Sequence, residues 1–234
     1  MAEGIYDLHQ CLKEHGKRIV DRLYDWNILG PKTLLAHCIY INPHEMELIK
    51  ETDTMVVHNP ESNMGNAVGI SPILPMYKKG ILLGMGTDAY TNDMLESIKV
   101  ALCSQRNNAC LPGVAWCEVT DMLFHNNAKI ANRSFETPLG VLKPGAAADV
   151  IVMDYKPFTP FSDANIDGHM WTGCATSAAT APCSAPTTPL LTAISSPCSM
   201  TARALTRAPT TRAFCRWARD ASWSAWAARS LRPI

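Results

Sequence analysis

Three short apolar segments, each followed by a polar side chain, constrain the fold of this chain most. In order they are "KTLLAHC", "DTMVVHNP" and "ILLGMGTDA", and they deliver His37, His58 and Asp88. Buried strands read as continuous apolar runs bounded by glycine or turn residues. Because helix-like segments separate the three runs, the pattern predicts parallel strands joined by crossover helices, which is an α/β fold.

The segments around these strands have helical patterns. Ile5–Trp26 is amphipathic, although Gly16 interrupts it. Asn42 and Pro43 begin "NPHEMELIKET", and an asparagine cap followed by proline favours a helix start. The remaining predicted elements are helices over "SPILPMYKKG" (closing on Gly80), Asn92–Arg106 and Trp116–Asn127, and a strand over Asp149–Tyr155 after a Pro144-Gly145 turn.

Residues 171–234 differ in composition from the rest of the chain. They are dominated by Ala, Thr, Ser, Pro and Arg, and they carry seven Arg against one acid, Asp220. One interpretation is a flexible, basic tail. The other is translation out of frame, since Ala, Thr, Ser and Pro have closely related codons. We favour the second interpretation.

Charge, hydropathy and cysteine usage exclude several functions. Lys plus Arg and Asp plus Glu each total 21, and the Arg residues of the tail form no dense stripe, so we expect no nucleic-acid partner. No apolar run approaches the roughly 20 residues of a membrane span, and the N-terminus does not read as a signal peptide. Nine cysteines without a C-x-x-C pair indicate neither a disulfide framework nor a zinc ribbon. We therefore expect a cytoplasmic protein without a membrane partner.

His37, His58 and Asp88 suggest a chemistry because they stand at strand ends. A metal-assisted hydrolase needs His or carboxylate ligands on a rigid wall, with a base near the bound water. Each residue alone has a simpler explanation. A histidine at a strand end is more often a core or loop residue, and an aspartate before a helix is more often an N-cap.

The contexts of these residues resemble the amidohydrolase superfamily, in particular its aminohydrolases and chlorohydrolases, which act on purine- and triazine-like rings. The resemblance rests on "LLAHC", "VVHNPESNMGNAVG", "LLGMGTDA" and "LGVLKPGAAADVIVMD", in this order, and covers about residues 1–170. It implies a (β/α)₈ TIM barrel with a small β-sandwich. The expected domains are a partial barrel with strands 5/6 to 8 over 1–138, the return into the β-sandwich over 139–170, and an irregular basic tail over 171–234.

The resemblance also implies roles for individual residues. Asp88 corresponds to the last metal ligand, which takes a proton from the attacking water. His37 would contact the metal, its water or the leaving side of the substrate. Glu3 would shuttle a proton to the ring nitrogen. Ser62 and Asn63 would contact the substrate or shape a turn together with Asn59, and His58 would be structural. The implied cofactor is one divalent metal, zinc or iron.

The sequence departs from the family pattern in its ligands. No His-x-His pair occurs, and the fifth-strand His would precede Ala2 by two residues. We therefore expect a truncated start that lacks strands one to four. The family function is a metal-dependent hydrolase of non-peptide C–N bonds, such as hydrolytic deamination of a purine- or triazine-like ring. The alternative is a catalytically inactive fragment, and we expect the chain alone to be inactive. The expected partners are a small heterocyclic substrate and, for the full-length protein, a second copy in a homo-oligomer.

Overall fold

The three predicted strands form one parallel sheet in this computed structural model. β1 (Leu34–Ala36), β2 (Met55–His58) and β3 (Leu83–Met85) lie side by side in that order. Both pairings are parallel, so all three carboxyl ends lie at the same edge of the sheet. The strand prediction is confirmed. The structure describes residues 1–153, 155–157, 159–160, 162–170 and 190–192, all within one unit, Met1–Pro197.

Helices precede, separate and follow these strands. The core between them and the sheet includes the fully buried side chains of Ile49, Val56, Ile73, Met76 and Leu83. Among the described residues no helix has the length and apolar character needed to cross a bilayer. The helices are α1 (Ile5–His15), α2 (Ile19–Asp25), α3 (Pro43–Glu51), α4 (Pro60–Gly65), α5 (Ile73–Lys78), α6 (Met94–Ala109), α7 (Trp116–Asp121), a π-helical turn (Met122–Asn126), α8 (Asn127–Ala131) and α9 (Ile166–His169).

Local sequence signals explain where several helices begin and end. Gly16 ends α1 in the left-handed conformation, φ 65°, and donates its N–H to Leu12. Asn42 caps α3 as predicted: its Oδ1 accepts from the N–H of Glu45, and the Glu45 carboxylate accepts from the N–H of Asn42.

The N-cap of α6 is Asp93 rather than Asp88. Asp93 Oδ1 accepts the N–H groups of Leu95 and Glu96 at 3.0 and 3.1 Å. The helix accordingly begins at Met94, two residues later than the predicted Asn92. The cap interpretation of Asp88 is therefore wrong, since another carboxylate five residues later fills that role.

The N-terminal segment lies beside the end of β1. The N–H groups of Cys38 and Ile39 donate to the carbonyls of Met1 and Ala2, both at 3.1 Å, and the Met1 amine donates to Ala36. The next residue, Glu3, is consequently held at the carboxyl end of the sheet.

The side-chain amide of Asn127 is hydrogen-bonded to the edge of β3 that faces away from β2. Asn127 Oδ1 accepts the N–H of Met85 and Asn127 Nδ2 donates to the carbonyl of Met85, both at 2.9 Å. A Cβ at Gly84 would lie 2.5 Å from Asn127 Oδ1, so this close approach requires glycine.

A second, antiparallel pair of strands follows. β4 (Ile151–Met153) lies inside the predicted strand Asp149–Tyr155 and pairs with β5 (Leu190–Thr192). β5 is part of 171–234, for which we predicted an irregular tail. The rest of that segment lies outside the described residues.

Candidate active site

Glu3, His37 and Asp88 lie together at the carboxyl end of the sheet. One ligand atom from each is within 4.8 Å of the other two. His37 Nε2 is 3.5 Å from Asp88 Oδ2 and 3.7 Å from Glu3 Oε2. The three residues predicted to be catalytic are thus brought into one cluster, although 34 and 51 residues separate them along the chain.

The three side chains differ in their access to solvent. The His37 side chain is 7% exposed, whereas those of Glu3 and Asp88 are 31% and 43% exposed. The imidazole therefore forms the buried wall of the cluster and the carboxylates form its open side. A small molecule can approach such a site from the solvent.

The backbone turns sharply where the site residues leave their strands. His37 and Cys38 follow β1 with φ of 67° and 49°, and Asp88 and Ala89 follow β3 with φ of 50° and 56°. Non-glycine residues adopt this left-handed region at a cost of about 1 kcal/mol or more each. Surrounding contacts must stabilise these turns, and such strained positions concentrate at active sites.

The short helix α4 and its N-cap residue, Asn59, supply hydrogen bonds to His37 and Asp88. Ser62 Oγ donates to Asp88 Oδ2 at 2.7 Å. Asn63 Oδ1 lies 2.8 Å from His37 Nδ1, and Asn59 Nδ2 lies 3.5 Å from His37 Nε2. Ser62 and Asn63 are buried, with 2% and 1% of their surfaces exposed. The sequence predicted substrate contact or a turn for them, and the structure places them in a helix behind the site.

Asn66 completes these contacts and was missed in the sequence. Its Nδ2 lies 3.4 Å from Glu3 Oε1 and 3.4 Å from Ser62 Oγ. The spacing of four polar residues at 59, 62, 63 and 66 follows i, i+3, i+4, i+7, which is one face of a helix. Recognising "HNPESN" as the start of a helix would therefore have identified Asn66.

His58 and Cys38 lie near the site without joining it. Burial lowers the pKa of His58 to about 3, with a further contribution from the charge of His37. Neither His58 ring nitrogen has a hydrogen-bond partner among the described residues. Burial raises the pKa of the Cys38 thiol to about 12. Cys38 is therefore a protonated, buried thiol at neutral pH.

Comparisons with known proteins identify the family. The model of the amidohydrolase family matches residues 1–182. A 5'-deoxyadenosine deaminase from Methanopyrus kandleri is 32% identical over 158 residues, which are 66% of this chain and 36% of that protein. A 5-methylthioadenosine/S-adenosylhomocysteine deaminase from Nitratidesulfovibrio vulgaris is 34% identical over 164 residues, 67% of this chain and 36% of that protein.

A solved structure supports the same assignment at the level of the fold. The atrazine chlorohydrolase of Arthrobacter aurescens, complexed with zinc, matches with a TM-score of 0.58 at 22% identity, over 72% of this chain and 38% of that one. The chain spans about a third of the length of the curated relatives it matches. The α/β architecture implied by the sequence resemblance, that of the TIM-barrel hydrolases, is confirmed. This chain belongs to the amidohydrolase family.

Proposed function

We propose that this chain contributes one side of the active site of a metal-dependent C–N hydrolase, which deaminates a purine-like ring. The observation that carries the proposal is the convergence of Glu3, His37 and Asp88 at the carboxyl end of a parallel sheet. Active sites of barrels built from strand–helix units lie at this end. The two relatives named above deaminate adenosine-type compounds, which supports a purine-like substrate.

Within the family fold, we assign β1, β2 and β3 to barrel strands six, seven and eight. Their parallel order and the crossover helices support this assignment. Met1 and Ala2 form backbone hydrogen bonds with Ala36, Cys38 and Ile39 at the end of β1. The N–H of His37, which lies between Ala36 and Cys38, donates instead to the carbonyl of Val57 in β2. Because alternate residues of a strand bond to opposite sides, the N-terminal segment occupies the position of strand five. Residues 1–138 then belong to the barrel and 139–170 to the return into the β-sandwich.

The donor set of the cluster fits a divalent metal such as zinc. It offers one imidazole nitrogen and two carboxylate oxygens, all of which zinc accepts. His37 and Asp88 would hold the ion, with Glu3 Oε2 within reach. When bound, such an ion makes water a nucleophile at neutral pH. The Arthrobacter chlorohydrolase was solved with zinc, which supports zinc over iron.

The residues of this chain would move the protons of the reaction. Water adds its oxygen to the ring carbon, the carbon–amine bond breaks, and ammonia leaves. One proton of the water ends on the departing amine, and Asp88 is positioned to accept and pass on this proton. The other proton ends on a ring nitrogen, and Glu3 on the open side of the cluster would deliver it. Ser62 holds the Asp88 carboxylate through Oδ2, so the base has a fixed orientation.

We expect catalysis only when the remaining strands of the barrel are present. A barrel closes with all of its strands, and the family pattern adds histidine ligands from strands one and five. The test is a chimera in which residues 1–170 replace the matching region of the Methanopyrus kandleri deaminase. We expect zinc-dependent ammonia release from 5'-deoxyadenosine and none from the present chain alone.

Two variants of the chimera separate the site from the fold. Asp88→Asn should reduce ammonia release by roughly a thousandfold or more, because general-base catalysis and a metal ligand are lost together. Asp93→Asn alters a carboxylate five residues away and leaves a capping side chain in place, so it should retain activity. A folded, zinc-loaded chimera without ammonia release, or one indifferent to Asp88→Asn, would contradict the proposal.

A further inference from the structure

α4 and its two capping residues, Asn59 and Asn66, contact all three members of the Glu3–His37–Asp88 cluster. Asn59 and Asn63 contact His37, whereas Ser62 donates to Asp88 and Asn66 donates to Glu3. Asn59, Ser62 and Asn63 are buried, and a buried polar side chain is costly unless it is hydrogen-bonded. Their arrangement along one face indicates that α4 orients the cluster.

The contact between Asn63 and His37 is the most buried of these. Only 1% of Asn63 and 6% of His37 are exposed. The backbone of Asn63 is fixed at both ends, because its N–H donates to Asn59 at 3.0 Å and its carbonyl accepts from Val68 at 3.1 Å. Its Oδ1 is thereby held 2.8 Å from His37 Nδ1.

This geometry selects one form of the imidazole. A neutral histidine carries its proton on one ring nitrogen only, and an amide oxygen can only accept. An Oδ1 facing Nδ1 therefore requires the proton on Nδ1. Nε2 then carries a lone pair and faces Asp88 Oδ2 at 3.5 Å and Glu3 Oε2 at 3.7 Å. Asn59 Nδ2, a donor, also faces Nε2 at 3.5 Å.

We propose that Asn63 is a positioning residue that holds His37 in the Nδ1–H form, so that Nε2 faces the cluster as an electron-pair donor. The two carboxylates favour the opposite form, because an Nε2–H group could donate to them. Asn63 opposes that preference from the other side of the ring. The use of Nε2 by a metal or a reacting water rests on the proposed function, whereas the tautomer itself does not.

The tautomer can be read directly in the metal-free full chain. We suggest ¹⁵N NMR of histidine-labelled protein at pH 8, above the ordinary imidazole pKa of about 6.5, with His37→Gln to assign the His37 signals. We expect wild-type His37 to carry its proton on Nδ1. Asn63→Leu should move the proton to Nε2, and Asn63→Asp, which still accepts from Nδ1–H, should leave it on Nδ1.

Glu61→Gln provides the matched control. Glu61 lies on the same helix, but it faces Ser97 of α6 rather than the cluster. Its substitution should leave the His37 signals unchanged. Wild-type His37 protonated on Nε2, or a tautomer indifferent to Asn63→Leu, would overturn the proposal. The wild-type and Asn63→Asp spectra test it even if Asn63→Leu does not fold.

Cobalt titration separates this proposal from the proposed function. Asn63→Leu should weaken Co²⁺ binding by about 10–100-fold, the usual effect of losing a partner that orients a metal-ligating histidine. If neither the full chain nor the deaminase chimera binds Co²⁺ but the tautomer changes as expected, the metal function is wrong and the positioning role stands. If Co²⁺ binds equally to wild type and Asn63→Leu while both keep the same tautomer, the positioning role is wrong and the metal function stands.

Discussion

His37 and His58 end neighbouring strands of one sheet and are both buried, yet their surroundings differ. His37 has a polar neighbour at each ring nitrogen, Asn63 on one side and the carboxylates of Glu3 and Asp88 on the other. His58 has no hydrogen-bond partner at either nitrogen among the described residues. Burial lowers the pKa of His58 to about 3, so it stays neutral at physiological pH.

The difference shows that a strand-end position does not by itself make a histidine functional. Two carboxylates near one ring nitrogen of His37 and an amide oxygen near the other define the orientation of its imidazole. His58 lacks both features and contributes mainly volume to the core. We therefore expect substitution of His37 to change metal binding and substitution of His58 to change stability in acid.

Metal binding should distinguish the two histidines most strongly. His37→Leu removes the only imidazole of the cluster and should abolish saturable Co²⁺ binding by the full chain. His58→Leu removes a ring that contacts no member of the cluster through a hydrogen bond and should leave the affinity essentially unchanged. The measurement is a Co²⁺ absorbance titration of both variants. Equal loss of binding in the two variants would show that His37 and His58 do not differ in their contribution to the metal site.

Much of the fold and part of the site could be predicted from the sequence. The parallel strands follow from apolar runs, and the cap at Asn42 follows from side-chain chemistry within three residues. Both signals lie within a few consecutive residues, so they can be read directly from the sequence. The cluster of Glu3, His37 and Asp88 was predicted because the family resemblance supplied long-range information that local patterns lack.

Other features depended on packing that the sequence does not display. Asp88 and Asp93 both precede α6, and only the start of the helix at Met94 decides which one caps it. "HNPESN" resembles a turn because Asn, Pro and Ser are turn residues, whereas Pro60 occupies the first position of α4. The sequence also could not predict that neither ring nitrogen of His58 has a hydrogen-bond partner in the described part of the chain, because such partners can be distant in sequence.

Asn127 is a buried amide whose two polar atoms, like the ring nitrogens of His37, both have partners. Both are hydrogen-bonded to the backbone of Met85. Asn127→Leu would leave a buried N–H and a buried carbonyl unsatisfied on β3. Each such group costs about 1–3 kcal/mol, so we expect a loss of about 4 kcal/mol in the free energy of unfolding. The exposed Asn108 on α6 is a suitable control, because Asn108→Leu should change stability little. Urea denaturation measures both, and similar losses would show that the Met85 contacts contribute nothing specific.

Stability in acid should depend on His58. The folded-state pKa of His58, about 3, lies below its unfolded value of 6.5, so the unfolded chain binds the proton first. The stability associated with neutral His58 is therefore complete above pH 6.5 and declines as the pH falls toward 3. The slope approaches about 1.4 kcal/mol per pH unit below pH 6.5, so lowering the pH from 6.5 to 4.5 should cost about 2 kcal/mol.

His58→Leu should remove this acid sensitivity. Replacing an unpaired polar group by an apolar one of similar size is close to neutral, so the variant should resemble wild type at pH 8 and exceed it in stability at pH 4.5. Parallel pH profiles of the unfolding free energy for the two proteins would show that His58 does not titrate on unfolding.

Ionisation of Glu61 should give a pH dependence of stability opposite in sign to that of His58, and the smallest effect of these predictions. Burial, with contributions from Glu96 and Asp93, raises the pKa of Glu61 to about 7, although the hydrogen bond from Ser97 opposes the shift. The unfolded carboxyl ionises near pH 4.5 while the folded one stays protonated, so stability falls as the pH rises from 4.5 to 7. Because Glu61→Gln cannot ionise, this variant should match wild type at pH 4 and be more stable at pH 8.

We expect the gain at pH 8 to be about 1–2 kcal/mol. Local opening of the six-residue α4 admits water to the carboxylate before global unfolding, which limits the effect. Thermal unfolding of both proteins at pH 4 and pH 8 measures it. Since α4 also carries Asn63 against His37, a Glu61→Gln variant that gains stability while its His37 signals stay unchanged would show that the two faces of this helix act independently. A gain of the same size at both pH values would instead assign the effect to packing rather than to ionisation.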